Sequence, residues 1–404
     1  MVPAAKPPLR MVEFIALLSL ITSLTAVSID AMLPALPDIA RSLAVSNAND
    51  TQLVVSLFIL GMVFGELIFG PLSDAIGRKK AILAGLAIYC IGTVLAMTAL
   101  SLGQILIGRI IMGIGVSGPK IASRALVRDQ FEGEAMARIM SYIFMVFILV
   151  PMLAPSVGQI VLHAADWRAI FLLYLGFGAV IAVWLSVRQA ETLPPERRIP
   201  LSYTALWTNT QRIVRHRKVM AYTAAAGLIF GGQLLYLSLA QAIFHDLYGI
   251  EDQFPLYFAL LAFGIGLSAF CNSQLVQRFG MHRLSVAALI GLIASSGTLA
   301  AVAATHGGVP PFTIFMALCF AMFCCLGTLF GNLNAMAMQS LGRVAGLGAS
   351  LIASMSSLVA VIMAVSIGRF YDQTALPLAL GFLLAATVTL LLVLFASKAR
   401  AESI

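Results

Sequence analysis

Charged residues are scarce in this chain. Of its 404 residues only 10% are Asp, Glu, Lys or Arg, whereas 60% are hydrophobic, and the mean hydropathy is +0.98. A soluble domain carries roughly 25% charged residues because its surface must face water. Apolar runs of about 20 residues, each long enough to cross a hydrocarbon core of about 30 Å, recur along the chain. The composition therefore excludes a soluble globular protein and predicts a helical membrane protein.

The residues that would support several other functions are absent or scattered. All five cysteines lie inside apolar runs, without the spacing of a metal site or a disulfide framework, and the five histidines are dispersed among loops. No Gly-x-x-x-x-Gly-Lys-Ser/Thr loop is present, which argues against ATP as the energy source. The net charge of +8 comes from short loops rather than from a basic face with interleaved aromatics. We therefore expect no metal site, no catalytic residues, no cofactor and no nucleic-acid partner.

Twelve apolar segments are long enough to span a membrane as α-helices. We number them spans 1 to 12, and we predict them at 12–33, 52–71, 81–100, 104–126, 138–162, 168–187, 218–241, 254–276, 284–305, 312–335, 344–368 and 377–397. Lys6 and Arg10 precede the first segment in the manner of a signal peptide, but that segment is too long for one and has no convincing cleavage site. We therefore expect span 1 to be retained.

The basic residues are distributed unevenly between the two sides of these spans. Because the number of spans is even, both termini lie on the same side. Of the 25 Lys and Arg residues, only Arg41, Arg168 and Arg369 fall on the opposite side, while Arg109 and Lys120 lie inside span 4. Loops that are rich in Lys and Arg stay in the cytoplasm. The pattern therefore predicts that both termini are cytoplasmic.

A long polar stretch divides the chain into two related halves. The motif GPLSDAIGRKK (Gly70–Lys80) follows span 2, and a weaker echo of it (Ser273–Arg283) follows span 8. Such internal repeats are typical of transporters. The predicted fold is an all-α membrane protein with twelve transmembrane helices in two pseudo-symmetric six-helix bundles, 1–188 and 218–404, joined by a cytoplasmic linker, 189–217.

Several motifs resemble those of a known transporter family. Gly70–Lys80 resembles the signature loop of the major facilitator superfamily. Ile29–Pro37 in span 1, Arg109–Gly115 in span 4 and Ala154–Gly158 in span 5 are similar to motifs of its twelve-helix drug:proton antiporter branch, and within it of the Bcr/CflA-like multidrug exporters. The resemblance implies the major facilitator fold, a bacterial inner membrane, and antibiotic and multidrug efflux by antiport against protons.

Asp30 and Arg109 are charged residues placed well inside predicted spans. Such a residue costs several kcal/mol unless it is paired or faces water. At 1.5 Å per residue, both lie about 6–8 Å below the outer boundary, and the resemblance implies that spans 1 and 4 line the central cavity. We predict that Asp30 binds the coupling proton and that Arg109 favours its charged form until the two separate. A static ion pair that fixes helix packing is the alternative.

Glu66 and Lys120 depart from the family's pattern. The family often has glutamine at the position of Glu66, and lysine is unusual at the position of Lys120. Both lie roughly 21–24 Å from the outer boundary, and the family's fold places spans 2 and 4 side by side. Two buried opposite charges cost less together than apart. We predict an ion pair that gives a second proton site when it opens. The alternative is that Lys120 snorkels to the cytoplasm and Glu66 is protonated.

Asp74, Arg78 and Asp129 lie together at the predicted cytoplasmic ends of spans 2 and 4. The resemblance implies a charge relay in which Asp74 also caps the start of span 11, near Val344 to Leu347. A carboxylate is stabilised at a helix N-terminus by unpaired N–H groups and by the helix dipole. We predict that the three residues form a conformational latch, although basic residues in this loop would also serve membrane topology alone.

Pro151, Pro155 and Gly158 lie within span 5 and make up the antiporter motif that the resemblance implies. Proline removes a backbone hydrogen bond and glycine permits close approach, so we predict a bend in this helix. We interpret the three residues as packing features first and gating features second.

Tyr142, Gln233 and Tyr236 are polar-tipped residues inside spans 5 and 7. They are candidate substrate contacts in the cavity. Interhelical packing or hydrogen bonding is the alternative role for each of them.

The hypothesis from the sequence is a secondary active exporter of small, mainly apolar compounds that works by alternating access and uses the proton gradient. Its expected partners are the substrate, protons and the lipid bilayer, and we expect a monomer. A transporter of the same fold that moves a metabolite, such as a sugar or an amino acid, is the main alternative. A membrane enzyme is disfavoured because no cluster of His, Asp or Glu occurs at one membrane face, and a channel is disfavoured by the two-half repeat.

Overall fold

The computed structural model describes residues 10–131, 133–339, 341 and 345–398. Within these ranges, twelve helices are long and apolar enough to cross a membrane. Each overlaps one of the twelve predicted spans, so the predicted all-α fold with twelve transmembrane helices is confirmed.

Span 1 is interrupted next to its deepest charged residue. Its long helix, Met11–Asp30, ends at Asp30 and is followed by a 3-10 turn, Leu33–Ala35, and a short helix, Leu36–Ser42. The interruption has a local cause, because Pro34 lacks the N–H group that would bond to the carbonyl of Asp30 in a continuous helix. Asp30 therefore lies at a helix end rather than in a helix interior.

The other spans are single long helices. Span 2 begins with a 3-10 turn, Ala48–Gln52, and continues as the helix Leu53–Ile76. Spans 3 to 12 contain the helices Arg78–Met97, Leu102–Gln130, Gly133–Ala164, Arg168–Arg188, Arg217–Ala242, Phe254–Phe279, Met281–Thr305, Phe312–Met338, Ala345–Gly368 and Leu376–Lys398. A π-helical turn, Ile243–Leu247, extends span 7, and an additional helix, Tyr203–Arg215, lies in the predicted linker.

The chain divides into two compact units. The first contains the described residues up to Ala44 together with Leu57–Tyr203, and the second contains Val45–Ser56 together with the chain from Thr204 onward. The division between Tyr203 and Thr204 falls inside the predicted linker. The first turn of span 2 groups with the second unit because the side chain of Asn49 donates to the backbone carbonyl of Tyr371 at 3.1 Å.

Spans 2 and 4 are in backbone contact in the first unit. A Cβ atom added at Gly61 would lie 2.1 Å from the carbonyl oxygen of Ile110, and one added at Gly113 would lie 2.0 Å from that of Phe58. Side chains larger than hydrogen are therefore excluded at both positions. This contact carries three predicted site residues, because Glu66, Arg109 and Lys120 all lie on these two helices.

Polar side chains join spans 8 and 10 in the second unit. The amides of Asn272 and Asn332 exchange two hydrogen bonds, at 3.0 and 3.1 Å. One turn earlier, the hydroxyls of Ser268 and Thr328 lie 2.8 Å apart. Uncharged groups thus stabilise this helix pair, in contrast to the charged residues of spans 2 and 4.

Substitution of Gly113 by Ala is expected to lower the yield of folded protein, because the added methyl group must push span 2 away from span 4. Overpacking of this kind costs about 1–3 kcal/mol. Gly176→Ala in span 6 is the matched control, since nothing lies within 4 Å of its added Cβ. Size-exclusion chromatography and thermal unfolding in detergent measure the difference, and equal behaviour of the two variants would contradict the backbone contact.

Candidate functional site

A buried polar cluster surrounds Arg109 in the first unit. Arg109 is fully buried, and the centre of its guanidinium lies 4.3 Å from the ring centroid of Phe58, a cation–π contact. It also interacts electrostatically with the side chains of Tyr89 in span 3 and Tyr174 in span 6. The hydroxyl of Tyr89 in turn lies 2.6 Å from that of Ser28 in span 1. Residues of five helices of the first unit therefore meet at this cluster.

Asp30 belongs to the same cluster but forms no ion pair with any described residue. It is 5% exposed, and its carboxyl group interacts electrostatically with Tyr174, which also interacts with Arg109. The structure thus brings the two predicted coupling residues into one cluster through Tyr174, without the static ion pair that was the alternative. A carboxyl group that is buried and not neutralised by a cation is suited to bind a proton.

The antiporter motif of span 5 packs directly on the interruption in span 1. A Cβ atom added at Gly158 would lie 2.1 Å from the carbonyl oxygen of Ala31, the residue that follows Asp30. Pro151 and Pro155 lie earlier in the same helix, Gly133–Ala164. Two motifs that the sequence predicted separately therefore meet at the helix end that carries Asp30.

Glu66 and Lys120 form an ion pair between spans 2 and 4. The Nζ atom of Lys120 lies 2.5 Å from Oε1 of Glu66, and the side chains are 24% and 0% exposed respectively. Oε2 of Glu66 is buried and has no hydrogen-bond partner among the described residues. Arg124, one turn beyond Lys120, interacts electrostatically with Glu66 as a second cation. In this structure the predicted second proton site, Glu66, is therefore paired with Lys120.

The predicted latch residues form a network centred on Arg78. Its guanidinium pairs with Asp74, donates from Nε to Oδ2 of Asp129 at 2.9 Å, and donates to the hydroxyl of Ser73 at 3.0 Å. The structure therefore brings Asp74, Arg78 and Asp129 together in the first unit. The predicted contact of Asp74 with the start of span 11 includes Val344, which lies outside the described residues.

Glu191 in the linker also belongs to this network, and its role was missed by sequence reasoning. Its carboxylate accepts hydrogen bonds from the backbone N–H groups of Arg78 at 2.9 Å and Lys79 at 3.2 Å, and so caps the first turn of span 3. Gly77, which precedes this helix, has φ +102° and would bring an added Cβ to 2.4 Å from Oε2 of Glu191. Gly77, the second glycine of GPLSDAIGRKK, was the available signal, because it marks a backbone conformation that leaves room for a capping group.

The three predicted cavity residues do not form one cluster. Tyr142, in the first unit, is 40% exposed, and its hydroxyl accepts from Nε of Arg138 at 3.4 Å. In the second unit, Gln233 is half-buried. Tyr236 is fully buried, with ring centroids at 6.1 Å from Phe258 and 4.7 Å from Phe323. This aromatic packing favours the structural role that was the alternative for Tyr236.

The family model of the Major Facilitator Superfamily matches residues 18–364. The chain belongs to this superfamily. It is 29% identical over 370 residues to the uncharacterized MFS-type transporter YdgK of Bacillus subtilis (strain 168), with 90% of each chain covered. A bicyclomycin resistance protein homolog of Haemophilus influenzae is 29% identical over 367 residues, which cover 90% of this chain and 91% of the relative.

More distant matches agree with this assignment. A chloramphenicol resistance protein of Pseudomonas aeruginosa is 27% identical over 270 residues, which cover 66% of this chain and 62% of the relative. The crystal structure of a D-xylose–proton symporter has a TM-score of 0.77 at 14% identity and covers 97% of this chain and 99% of its own. The predicted fold is confirmed, and so is the resemblance to the Bcr/CflA-like exporters. The protein is a multi-pass membrane protein with bacterial relatives.

Removing one partner of the Glu66–Lys120 pair is expected to reduce folded yield more than removing both, because a single substitution leaves one buried charge uncompensated. The comparison requires Glu66→Gln, Lys120→Gln and the double variant, with yield after detergent extraction as the measurement. If the two side chains interact, the double variant loses less folded yield than the two single variants lose together. Strict additivity would show that the two side chains do not stabilise each other.

Glu191→Ala is expected to destabilise the first unit by about 1 kcal/mol, the usual contribution of a helix cap. Glu196→Ala is the control, because Glu196 lies in the same linker and its side chain is exposed. Thermal unfolding in detergent reports the effect. If both variants unfold at the wild-type temperature, the cap does not contribute to stability.

Proposed function

We propose that the protein is a proton-coupled secondary active exporter of small, mainly apolar compounds. The observation that carries the proposal is the environment of Asp30, which is 5% exposed and lacks an ion pair among the described residues. Glu13, Glu66 and Asp74, in contrast, pair with Arg188, Lys120 and Arg78 respectively. Asp30 is therefore the carboxyl group in the first unit that is best suited to exchange a proton.

The names of the relatives support the proposed class of substrate. They include bicyclomycin, chloramphenicol and multidrug resistance proteins. Removal of such compounds from the cell is a common physical basis of resistance. The D-xylose–proton symporter shares the fold at 14% identity, and this likeness does not favour a sugar substrate.

The proposed orientation follows from the distribution of basic residues. With both termini in the cytoplasm, nearly all loop Lys and Arg residues lie on the cytoplasmic side of the bacterial inner membrane. Asp30 then lies toward the outer ends of the spans, and the Arg78 network lies on the cytoplasmic side. This arrangement supports export, since Asp30 receives protons from the side to which substrate is released.

Competition for one buried site supports antiport. An ionised carboxylate in a low-dielectric interior is costly, so Asp30 is stable when it is protonated or when substrate or nearby polar groups compensate its charge. Arg109 supplies a fixed positive charge in the same cluster. We infer that substrate occupies this cluster while Asp30 is ionised and leaves it when Asp30 is protonated, so that the two move in opposite directions.

Asp30→Asn is expected to abolish transport that is driven by a pH gradient while leaving expression intact. Arg109→Ala should be equally inactive, whereas Arg109→Lys should retain part of the activity because it keeps a point charge without the planar fork. Proteoliposomes with an imposed pH gradient, tested with chloramphenicol and with bicyclomycin, report both drug uptake and proton movement.

Asp38→Asn is the matched control, since Asp38 lies in the short helix of span 1 and its side chain is 39% exposed. It should transport at the wild-type rate. Wild-type coupling in Asp30→Asn would overturn the proposal. Substrate-dependent counterflow with sugars or amino acids, without drug transport, would support the metabolite alternative instead.

A further inference from the structure

Tyr174 presents a buried hydroxyl group that the packing of span 6 does not explain. Its side chain is fully buried, and its ring contacts that of Phe171 edge to face, with 5.9 Å between centroids. The hydroxyl has no hydrogen-bond partner among the described residues. Buried polar groups are nearly always hydrogen-bonded, so this hydroxyl is available to a partner within the same cluster.

The surroundings of this hydroxyl identify the partner. Tyr174 interacts electrostatically with Arg109 of span 4, Tyr89 of span 3 and Asp30 of span 1. The hydroxyl of Tyr89 is already engaged, 2.6 Å from that of Ser28. Of the two tyrosines that interact with Arg109, only Tyr174 has a hydroxyl that no described residue engages.

A hydroxyl group is chemically suited to lie between a guanidinium and a carboxylate. Arginine can only donate hydrogen bonds and an ionised carboxylate can only accept them, whereas a hydroxyl does both. The oxygen of Tyr174 can accept from Arg109 while its O–H donates to ionised Asp30. Once Asp30 is protonated, its charge is gone and the reason for this bridge disappears.

We propose that Tyr174 is a positioning residue of the proton-coupling site, whose hydroxyl bridges Arg109 and Asp30 when Asp30 is ionised and is released when Asp30 is protonated. This assignment rests on the proposed function. Tyr174 keeps its own proton throughout, and the transported proton binds to and leaves the carboxylate of Asp30.

Tyr174→Phe tests the proposal because it removes the hydroxyl and keeps the ring. The variant should bind chloramphenicol or bicyclomycin but release fewer protons on binding. The bridge stabilises ionised Asp30, so its loss makes proton release require a higher pH. The pH profile of transport should therefore move upward by about half to one pH unit, the equivalent of one hydrogen bond.

Tyr236→Phe is the matched control. Tyr236 is equally buried and also has an unpartnered hydroxyl, but it lies among aromatic rings in the second unit, with Cys319 as its titratable neighbour. Its substitution should leave proton release and the pH profile unchanged. If Tyr174→Phe behaves in the same way, the bridge does not exist.

Difluorotyrosine at position 174 provides a second test that does not depend on how the phenylalanine variant folds. Fluorination makes the hydroxyl a stronger donor, so the pH profile should move downward, opposite to the effect of Tyr174→Phe. An unchanged profile would overturn the assignment. The two proposals can fail separately. Normal coupling in Asp30→Asn would contradict the proposed function. An inactive Asp30→Asn together with a normal Tyr174→Phe would contradict only the role of Tyr174.

Discussion

The cost of placing charge in a hydrocarbon interior determines most of what is distinctive in this structure. Each charged side chain inside the spans must pair with an opposite charge, face water or take part in the function of the protein. Glu13 accepts two hydrogen bonds from Arg188 at 2.7 and 2.8 Å, Glu66 pairs with Lys120, and Arg109 lies against Phe58. Asp30 differs from them, since it is buried at a helix end and has no paired cation in the part of the chain that the structure describes. One physical rule thus separates charges that stabilise the fold from the charge that is available for chemistry.

Much of the fold could be predicted from the sequence because a membrane simplifies the problem. The hydrophobic thickness fixes the length of each helix, so twelve apolar runs yielded twelve spans without knowledge of their packing. The rise of 1.5 Å per residue gave Glu66 and Lys120 the same depth. That spans 2 and 4 lie side by side was implied by the resemblance to the family. The grouping of Val45–Ser56 with the second unit could not be predicted in this way, because it depends on side-chain contacts such as that of Asn49 with Tyr371.

The candidate site was predicted in part, and the missing residues share a physical reason. Asp30 and Arg109 stood out because charge is rare in apolar runs, whereas Tyr89 and Tyr174 did not, because a tyrosine is common in a membrane helix. The importance of their hydroxyls depends on partners from other helices, which no spacing within one helix reveals. Glu191 was missed for a related reason: it is one acidic residue in a polar linker, and only the fold brings it to the first turn of span 3.

The contact between spans 2 and 4 has a mechanical consequence. Two helices whose backbones touch at Gly61 and Gly113 leave no space for a side chain between them at these positions. Tilting one helix alone would break this close packing, so a joint movement of the two is favoured. Asp74 lies near one end of span 2 and Arg109 lies in span 4, so this one helix pair carries residues of both the Arg78 network and the Arg109 cluster. Glycine at these positions thus serves close packing, although glycine elsewhere is usually associated with flexibility.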